Sequence, residues 1–173
     1  MEINICVYHD YYTKAEQQIP EIVSLLRTLN ERAPKGDHYS IGAAPFYFST
    51  LEYILTRDDY DFCIFFTLNP SIVALMQRIP YMSHIVVLED FSACPELFSG
   101  WEQLPSPEGS QQWRPAAWEH RETTVLVTTP ERLIEDAFAF FKQEGLSFNP
   151  YKSETYAVSE VTVWSKDGFR QKK

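Results

Sequence analysis

Four side chains with acid–base or metal-binding chemistry directly follow predicted strands of this chain. His9 and Asp10 come after the first apolar run, and Glu89 and Asp90 come after a later one. Imidazole and carboxylate groups that converge can bind a divalent cation or act as general acid and base. Carboxylates at strand ends also serve as solvated loop residues or helix caps, and we favour that interpretation. We therefore predict no catalytic residue and no metal ligand, and keep Asp10, Glu89 and Asp90 as the weaker candidates for a cation site.

Five apolar strands and the amphipathic helices between them must position these side chains. The strands are predicted at residues 3–8, 38–43, 61–67, 84–88 and 124–128. Apolar residues at helical spacing predict helices near 14–32, 49–58, 70–79 and 130–144. Apolar strands that alternate with helices indicate a parallel sheet covered on both faces. We therefore expect an α/β, flavodoxin-like fold, with a doubly wound, five-stranded parallel sheet in the order 2-1-3-4-5.

Ligands in such a fold bind where the carboxyl ends of the strands meet. The residues predicted at this edge are Tyr8, His9, Asp10, Phe66, Thr67, Glu89, Asp90, Thr128 and Thr129.

Three predicted helices begin with residues that favour capping of the helix N-terminus. Ser49 and Glu52 fit a capping box, whereas Asn69 and Thr129 each precede a proline suited to the first helical position.

Residues 91–121 interrupt the alternation of strands and helices. They contain four prolines, two glycines and three tryptophans, with no sustained periodicity, so we predict a long insertion with at most one short helix. The tryptophans, Trp101, Trp113 and Trp118, could anchor a protein partner, because Trp is common at binding hot spots. They could equally pack back over the domain. Both interpretations remain open at this point.

The C-terminal segment has a pattern of its own. Residues 157–164 look extended, Gly168 closes a turn signal, and Arg170, Lys172 and Lys173 make the end basic. We therefore divide the chain into a domain of residues 1–146, with its insertion at 91–121, and an extension of residues 147–173.

The overall composition argues against several classes of protein, among them nucleic-acid-binding and membrane-spanning proteins. A net charge of −9 on 173 residues argues against broad contact with a nucleic-acid backbone. Three cysteines without a Cys-x-x-Cys pair indicate buried free thiols in a cytoplasmic protein. No apolar run reaches the roughly 18 residues of a membrane span, so no membrane contact is expected. Glycine-rich nucleotide motifs are absent from the sequence, and we predict no cofactor.

Residues 60–70 resemble the central strand of bacterial response-regulator receiver domains, most closely those of LytTR-type regulators. In that family a Tyr-Asp pair leads through apolar residues to a phosphoacceptor aspartate, with a proline four residues later. Residues 3–6, 49–55 and 129–133 resemble the first strand, a helix start and the last helix start of the same domain. Residues 159–168 resemble an early strand pair of a LytTR DNA-binding domain.

The chemistry of a receiver is missing at each corresponding position. Phe66 stands at the phosphoacceptor position, and a phenyl ring can neither attack a phosphoryl group nor bind Mg²⁺. The acidic-pair positions fall within Val7, Tyr8 and His9, depending on a one-residue shift, and only Asp10 is nearby. Glu89 replaces the family's hydroxyl residue, and Thr129 replaces its lysine.

The resemblance therefore implies a degenerate pseudo-receiver. It would be a non-enzymatic signalling domain that contacts a protein partner or a second copy of itself, without aspartyl phosphorylation. The contact would involve residues 125–141 or the tryptophan-bearing insertion. Two alternatives remain. One is a flavodoxin-like ligand binder or enzyme that uses the His9, Asp10, Glu89 and Asp90 set. The other is a transcriptional regulator with a reduced DNA-binding tail.

Overall fold

The computed structural model describes residues 2–8, 15–33, 35–43, 47–56, 60–79, 83–116, 124–144, 161–165 and 168–172. The strands of these segments are β1 (Glu2–Tyr8), β2 (His38–Ala43), β3 (Phe62–Phe65), β4 (Ser83–Val87), β5 (Trp101–Leu104), β6 (Gln111–Pro115), β7 (Val125–Thr128), β8 (Val161–Ser165) and β9 (Gly168–Lys172). The helices are α1 (Ala15–Arg32), α2 (Phe48–Leu55), α3 (Pro70–Arg78), α4 (Cys94–Leu97) and α5 (Leu133–Glu144). None of the helices in these segments is both long and apolar enough to cross a membrane.

The main sheet has seven strands, in the hydrogen-bonded order β2-β1-β3-β4-β7-β6-β5. β1 pairs with β2 and β4 with β7 in parallel, whereas β6 runs antiparallel to both β7 and β5. The α/β class is therefore confirmed. The prediction of five strands, all parallel, was wrong, because the insertion adds the β5–β6 hairpin at the edge of β7. Its strands mix polar with apolar residues and buried with exposed or half-buried positions, so they lack the continuous apolar run that marks a central strand.

The chain divides into two compact units, one of Met1–Cys63 with Phe148–Lys173 and the other of Ile64–Ser147. The division after Cys63 has no counterpart in the sequence pattern. Each unit carries its own core and is described separately below.

In the first unit, the buried side of β1 and the inner faces of two helices form the core. Its fully or nearly fully buried side chains include Ile3, Ile5, Val7, Leu25, Leu29, Ile41, Leu51 and Leu55. Asn30 of α1 fixes the helix to β2, because its amide donates to Tyr39 O (2.8 Å) and accepts from Tyr39 N (2.7 Å). In the C-terminal part, β8 and β9 form an antiparallel hairpin, and β8 lies next to β2. The extended conformation predicted for residues 157–164 is confirmed at 161–164, whereas residues 157–160 and the predicted turn at 166–167 lie outside the described residues.

In the second unit, α3 buries the apolar face that its spacing predicts, whereas α5 buries Phe140, which the spacing did not predict, and leaves the predicted Ile134 and Phe138 half-buried. Ile72, Val73, Leu75 and Met76 are buried on α3, and Leu133, Ala137 and Phe140 on α5. The Asn69 cap is confirmed, since its side-chain oxygen accepts from Ile72 N at 3.0 Å. This bond gives an acceptor to one of the first-turn N–H groups, which have none within the helix. Pro70 has no N–H group, so it adds no further donor that needs an acceptor.

Three predicted boundaries were wrong. α2 begins at Phe48, after Tyr47, whose side chain makes no cap hydrogen bond, so Ser49 lies inside the helix rather than at its cap. α5 begins at Leu133, after a turn in which Arg132 N donates to Thr129 O at 3.2 Å. β3 ends at Phe65, so Phe66 lies just outside the strand. In each case backbone hydrogen bonds set the boundary, and the residue type alone does not reveal them.

Candidate functional site

The predicted site residues of the second unit follow three strands that are neighbours in the sheet. Phe66 follows β3 and is half-buried, Glu89 and Asp90 follow β4 and are exposed, and Thr129 follows β7 and is half-buried. The parallel pairing of β4 and β7 is fixed in register, and Leu88 N donates to Thr128 O at 2.8 Å. The loops after β4 and β7 therefore start side by side at one edge of the sheet.

Asp90 organises the loop that follows β4. Its Oδ1 accepts from Ser92 N at 2.9 Å, and its Oδ2 accepts from the Ser92 hydroxyl at 2.7 Å. These hydrogen bonds, the hydroxyl's first, lower the pKa of the Asp90 carboxyl. Both oxygens are thus used within a local turn, which agrees with the favoured interpretation of strand-end carboxylates as loop and cap residues.

The cysteines lack the environment of a nucleophile. All three are buried and free. Burial, together with the charge of Asp90, raises the pKa of Cys94 to about 11. Burial and a hydrogen bond with Cys6 raise the pKa of Cys63 well above its ordinary value. Since the thiolate is the reactive form, these thiols are held in their inert state.

A polar cluster that the sequence analysis missed lies at the end of β7. The Thr128 hydroxyl donates to Asp136 Oδ2 at 2.7 Å. Arg132 donates to the same carboxylate from Nε and from Nη2, both at 3.2 Å. The side chain of Asp136 is only 12% exposed, whereas that of Arg132 is 42% exposed. The spacing of four residues between Arg132 and Asp136 was the available signal, since such pairs face each other on a helix.

The turn of the β5–β6 hairpin reaches this cluster. Gly109 has a φ of +90°, and a Cβ built there would lie 2.8 Å from Arg132 Nη1. Glu108 contributes to the raised pKa of Arg132, after the larger effects of the hydrogen bond and charge of Asp136. The cluster thus connects β7, the first turn of α5 and the tip of the inserted hairpin.

The tryptophans of the insertion form a small aromatic core. Trp101 is 8% exposed and Trp113 5% exposed. Phe98 stacks on Trp113 at a centroid distance of 5.1 Å and meets Trp101 edge-on, also at 5.1 Å. Trp101 and Trp113 are therefore buried against Phe98 within the insertion. Trp118 lies outside the described residues.

The remaining predicted site residues belong to the first unit. Tyr8, the last residue of β1, is 3% exposed and its side chain lies in the core. His9 and Asp10 lie outside the described residues. Within the described segments, no three His, Cys, Asp or Glu side chains are grouped so that they could hold a metal ion.

No protein-family model, curated protein or solved structure matches this chain. The likeness to receivers therefore depends on the segments named above, and the geometry of the strand-end edge is the main guide to function. That geometry places a phenyl ring after β3, exposed carboxylates after β4, and a carboxylate satisfied by internal donors beside β7.

Proposed function

We propose that this protein is a receiver-like regulatory domain that works through protein–protein contacts without being phosphorylated. The observation that carries the proposal is Phe66, which follows β3 at the place where a receiver holds its phosphoacceptor. Its ring offers no lone pair to a phosphoryl donor or a cation. Loss of that one group removes aspartyl-phosphate formation whatever the neighbouring residues are.

The arrangement of strands supports a flavodoxin-like, doubly wound domain. The first five strands in the hydrogen-bonded order are β2, β1, β3, β4 and β7. Numbered along the chain without the inserted hairpin, they read 2-1-3-4-5, which is the order expected for a receiver. β5 and β6 then extend the sheet beyond β7.

The environment of the strand ends supports loss of the switching chemistry as well. Glu89 is an exposed carboxylate where the family has a hydroxyl residue, and Thr129 stands where it has a lysine. Arg132 is the described cation nearest to Thr129 along the chain, and its guanidinium is bound to Asp136. The described residues that directly follow β3, β4 and β7 thus offer no lysine to the oxygens of a phosphoryl group.

The inserted hairpin changes where a partner can bind. β7 is flanked by β4 and β6, and all four of its residues are buried. A contact through residues 125–141 would therefore use the outward side of α5, which exposes Glu135 and Ala139. We propose this side as the surface for a protein partner or a second copy. The buried free thiols support a reducing, cytoplasmic setting.

Amide NMR during titration with Mg²⁺ and beryllofluoride, an analogue of the phosphoryl group, tests the loss of receiver chemistry. We expect no shift at Phe66, Glu89 or Thr129. The control is an Asp10→Asn variant, which removes the one acidic residue close to the acidic-pair positions. Localised shifts in the natural protein that vanish in this variant would contradict the proposal and favour the ligand-binding or enzymatic alternative.

Sedimentation velocity over a wide concentration range tests the contact surface. A homodimer that dissociates in an Ala139→Glu variant would support the outward side of α5, because a buried unpaired charge opposes association. A dimer that persists unchanged in this variant would contradict that surface. Salt-sensitive DNA binding that is lost on removal of residues 151–173 would instead favour the transcriptional alternative.

A further inference from the structure

A histidine lies in the interior of the second unit without polar partners. His84, the second residue of β4, is 0% exposed. Neither of its ring nitrogens has a hydrogen-bond partner among the residues that the structure describes. The ring of Phe65 packs against it with centroids 5.6 Å apart and planes at 65°. A buried imidazole in this state requires an explanation, since such groups normally find a partner.

The two strands next to β4 carry no charged side chain that would stabilise a protonated His84. The flanking strand β3 carries Phe, Cys and Ile side chains, and β7 carries Val, Leu and Thr. Cys63 is the titratable residue of these two strands, and its raised pKa keeps it neutral. Burial alone lowers the pKa of His84 from 6.5 to about 3, with no contribution from a charged group. The Phe65 ring offsets only part of the lost hydration of an imidazolium.

We propose that His84 is an acid-sensitive group that keeps β4 in the sheet only while its imidazole is neutral. The backbone of His84 is bound into the strand, since its amide donates to Thr124 O at 3.1 Å. In this proposal the ring gains its proton when this part of β4 separates from β7 and water enters. Acidification therefore favours molecules in which β4 has opened, and β4 is the strand that leads into the Glu89 and Asp90 loop.

The sign of the effect follows from proton linkage. The unfolded or opened chain binds a proton at His84 below pH 6.5, whereas the closed form binds none until about pH 3. The stabilisation from this residue is complete above pH 6.5 and is lost as the pH falls through that window. Asp90, whose pKa is lowered from 3.8, loses its stabilising effect only at more acidic pH. The interval from pH 6.5 to 4.5 thus covers the loss expected from His84 and lies above the range in which Asp90 titrates.

Urea unfolding of the full chain at pH 6.5, 5.5 and 4.5 tests the proposal. Between pH 6.5 and 4.5 we expect the unfolding equilibrium constant of the natural protein to rise about 50-fold more than that of His84→Phe, because the unfolded imidazole is already half protonated at pH 6.5. If the phenyl ring of His84→Phe is too large for the site, His84→Leu takes its place as the variant that cannot be protonated. The control is His38→Gln, because the exposed His38 imidazole already has a partner in Glu2 at 3.0 Å. This variant should keep the full dependence on pH.

Imidazole NMR of the natural protein provides a second measurement that needs no variant. We expect the His84 ring to stay neutral in the folded protein down to pH 4.5, and hydrogen exchange of the β4 amides to accelerate, beyond the intrinsic effect of pH, between pH 6.5 and 4.5. A His84 ring that titrates near pH 6.5 while the protein stays folded would overturn the proposal. So would an equal pH dependence of unfolding in the natural protein and in both His84 variants.

Discussion

The guanidinium group of Arg132 lies over Gly109, at the tip of the inserted hairpin. A Cβ at position 109 would come within 2.8 Å of Nη1 and 3.2 Å of Cζ, closer than side chains normally approach. The backbone of Gly109, with a φ of +90°, independently favours glycine. One residue thus provides both the turn of the hairpin and the space that Arg132 needs to bind Asp136.

Replacement of Gly109 by alanine is expected to destabilise the second unit for both reasons. The positive φ costs about 1–2 kcal/mol, and displacement of the exposed Arg132 from its ion pair adds up to about 1 kcal/mol. Gly100 is the matched control, since its φ is +84° and nothing lies within 4 Å of its built Cβ. In urea unfolding, Gly109→Ala should lose more stability than Gly100→Ala. Equal losses would show that the close contact between Arg132 and position 109 does not contribute to the free energy of unfolding.

The Thr128–Asp136–Arg132 cluster should draw its stability mainly from the threonine. The hydroxyl of the buried Thr128 bonds to a nearly buried carboxylate, and such charge-assisted hydrogen bonds contribute about 1.5–3 kcal/mol. The partly exposed Arg132 contributes at most about 1 kcal/mol, because solvent screens the pair. We therefore expect Thr128→Val to be more destabilising than Arg132→Met in urea unfolding. Double variants with Asp136→Asn should reduce both losses, and the opposite ranking would contradict this assignment.

The start of α3 depends on the side chain of Asn69. Asn69→Ala should reduce the free energy of unfolding by about 1 kcal/mol, because Ile72 N loses its acceptor. Ser49→Ala is the comparison, since Ser49 is exposed within the first turn of α2 and is not its cap. Its effect should stay within about 0.5 kcal/mol. Comparable losses of stability in the two variants would support Ser49 as the N-cap of α2 and contradict the assignment made here.

Sequence alone determined the elements whose signals are local. β1, β4 and β7 follow from apolar runs, because strands buried on both faces need apolar side chains at most positions. The buried face of α3 follows from helical spacing, and the start of α3 follows from Asn69 and Pro70. The burial of the cysteines follows from their positions in or near apolar segments.

Only the tertiary structure decided the features that depend on distant pairing. β5 and β6 are mostly polar, and they become strands because β6 hydrogen-bonds to the free edge of β7. The aromatic core of Phe98, Trp101 and Trp113 forms only after that hairpin folds back. The isolation of His84 likewise depends on strands far apart in sequence, since desolvation is set by everything that surrounds a side chain. Periodicity reports which side of an element is buried, but it does not report what covers that side.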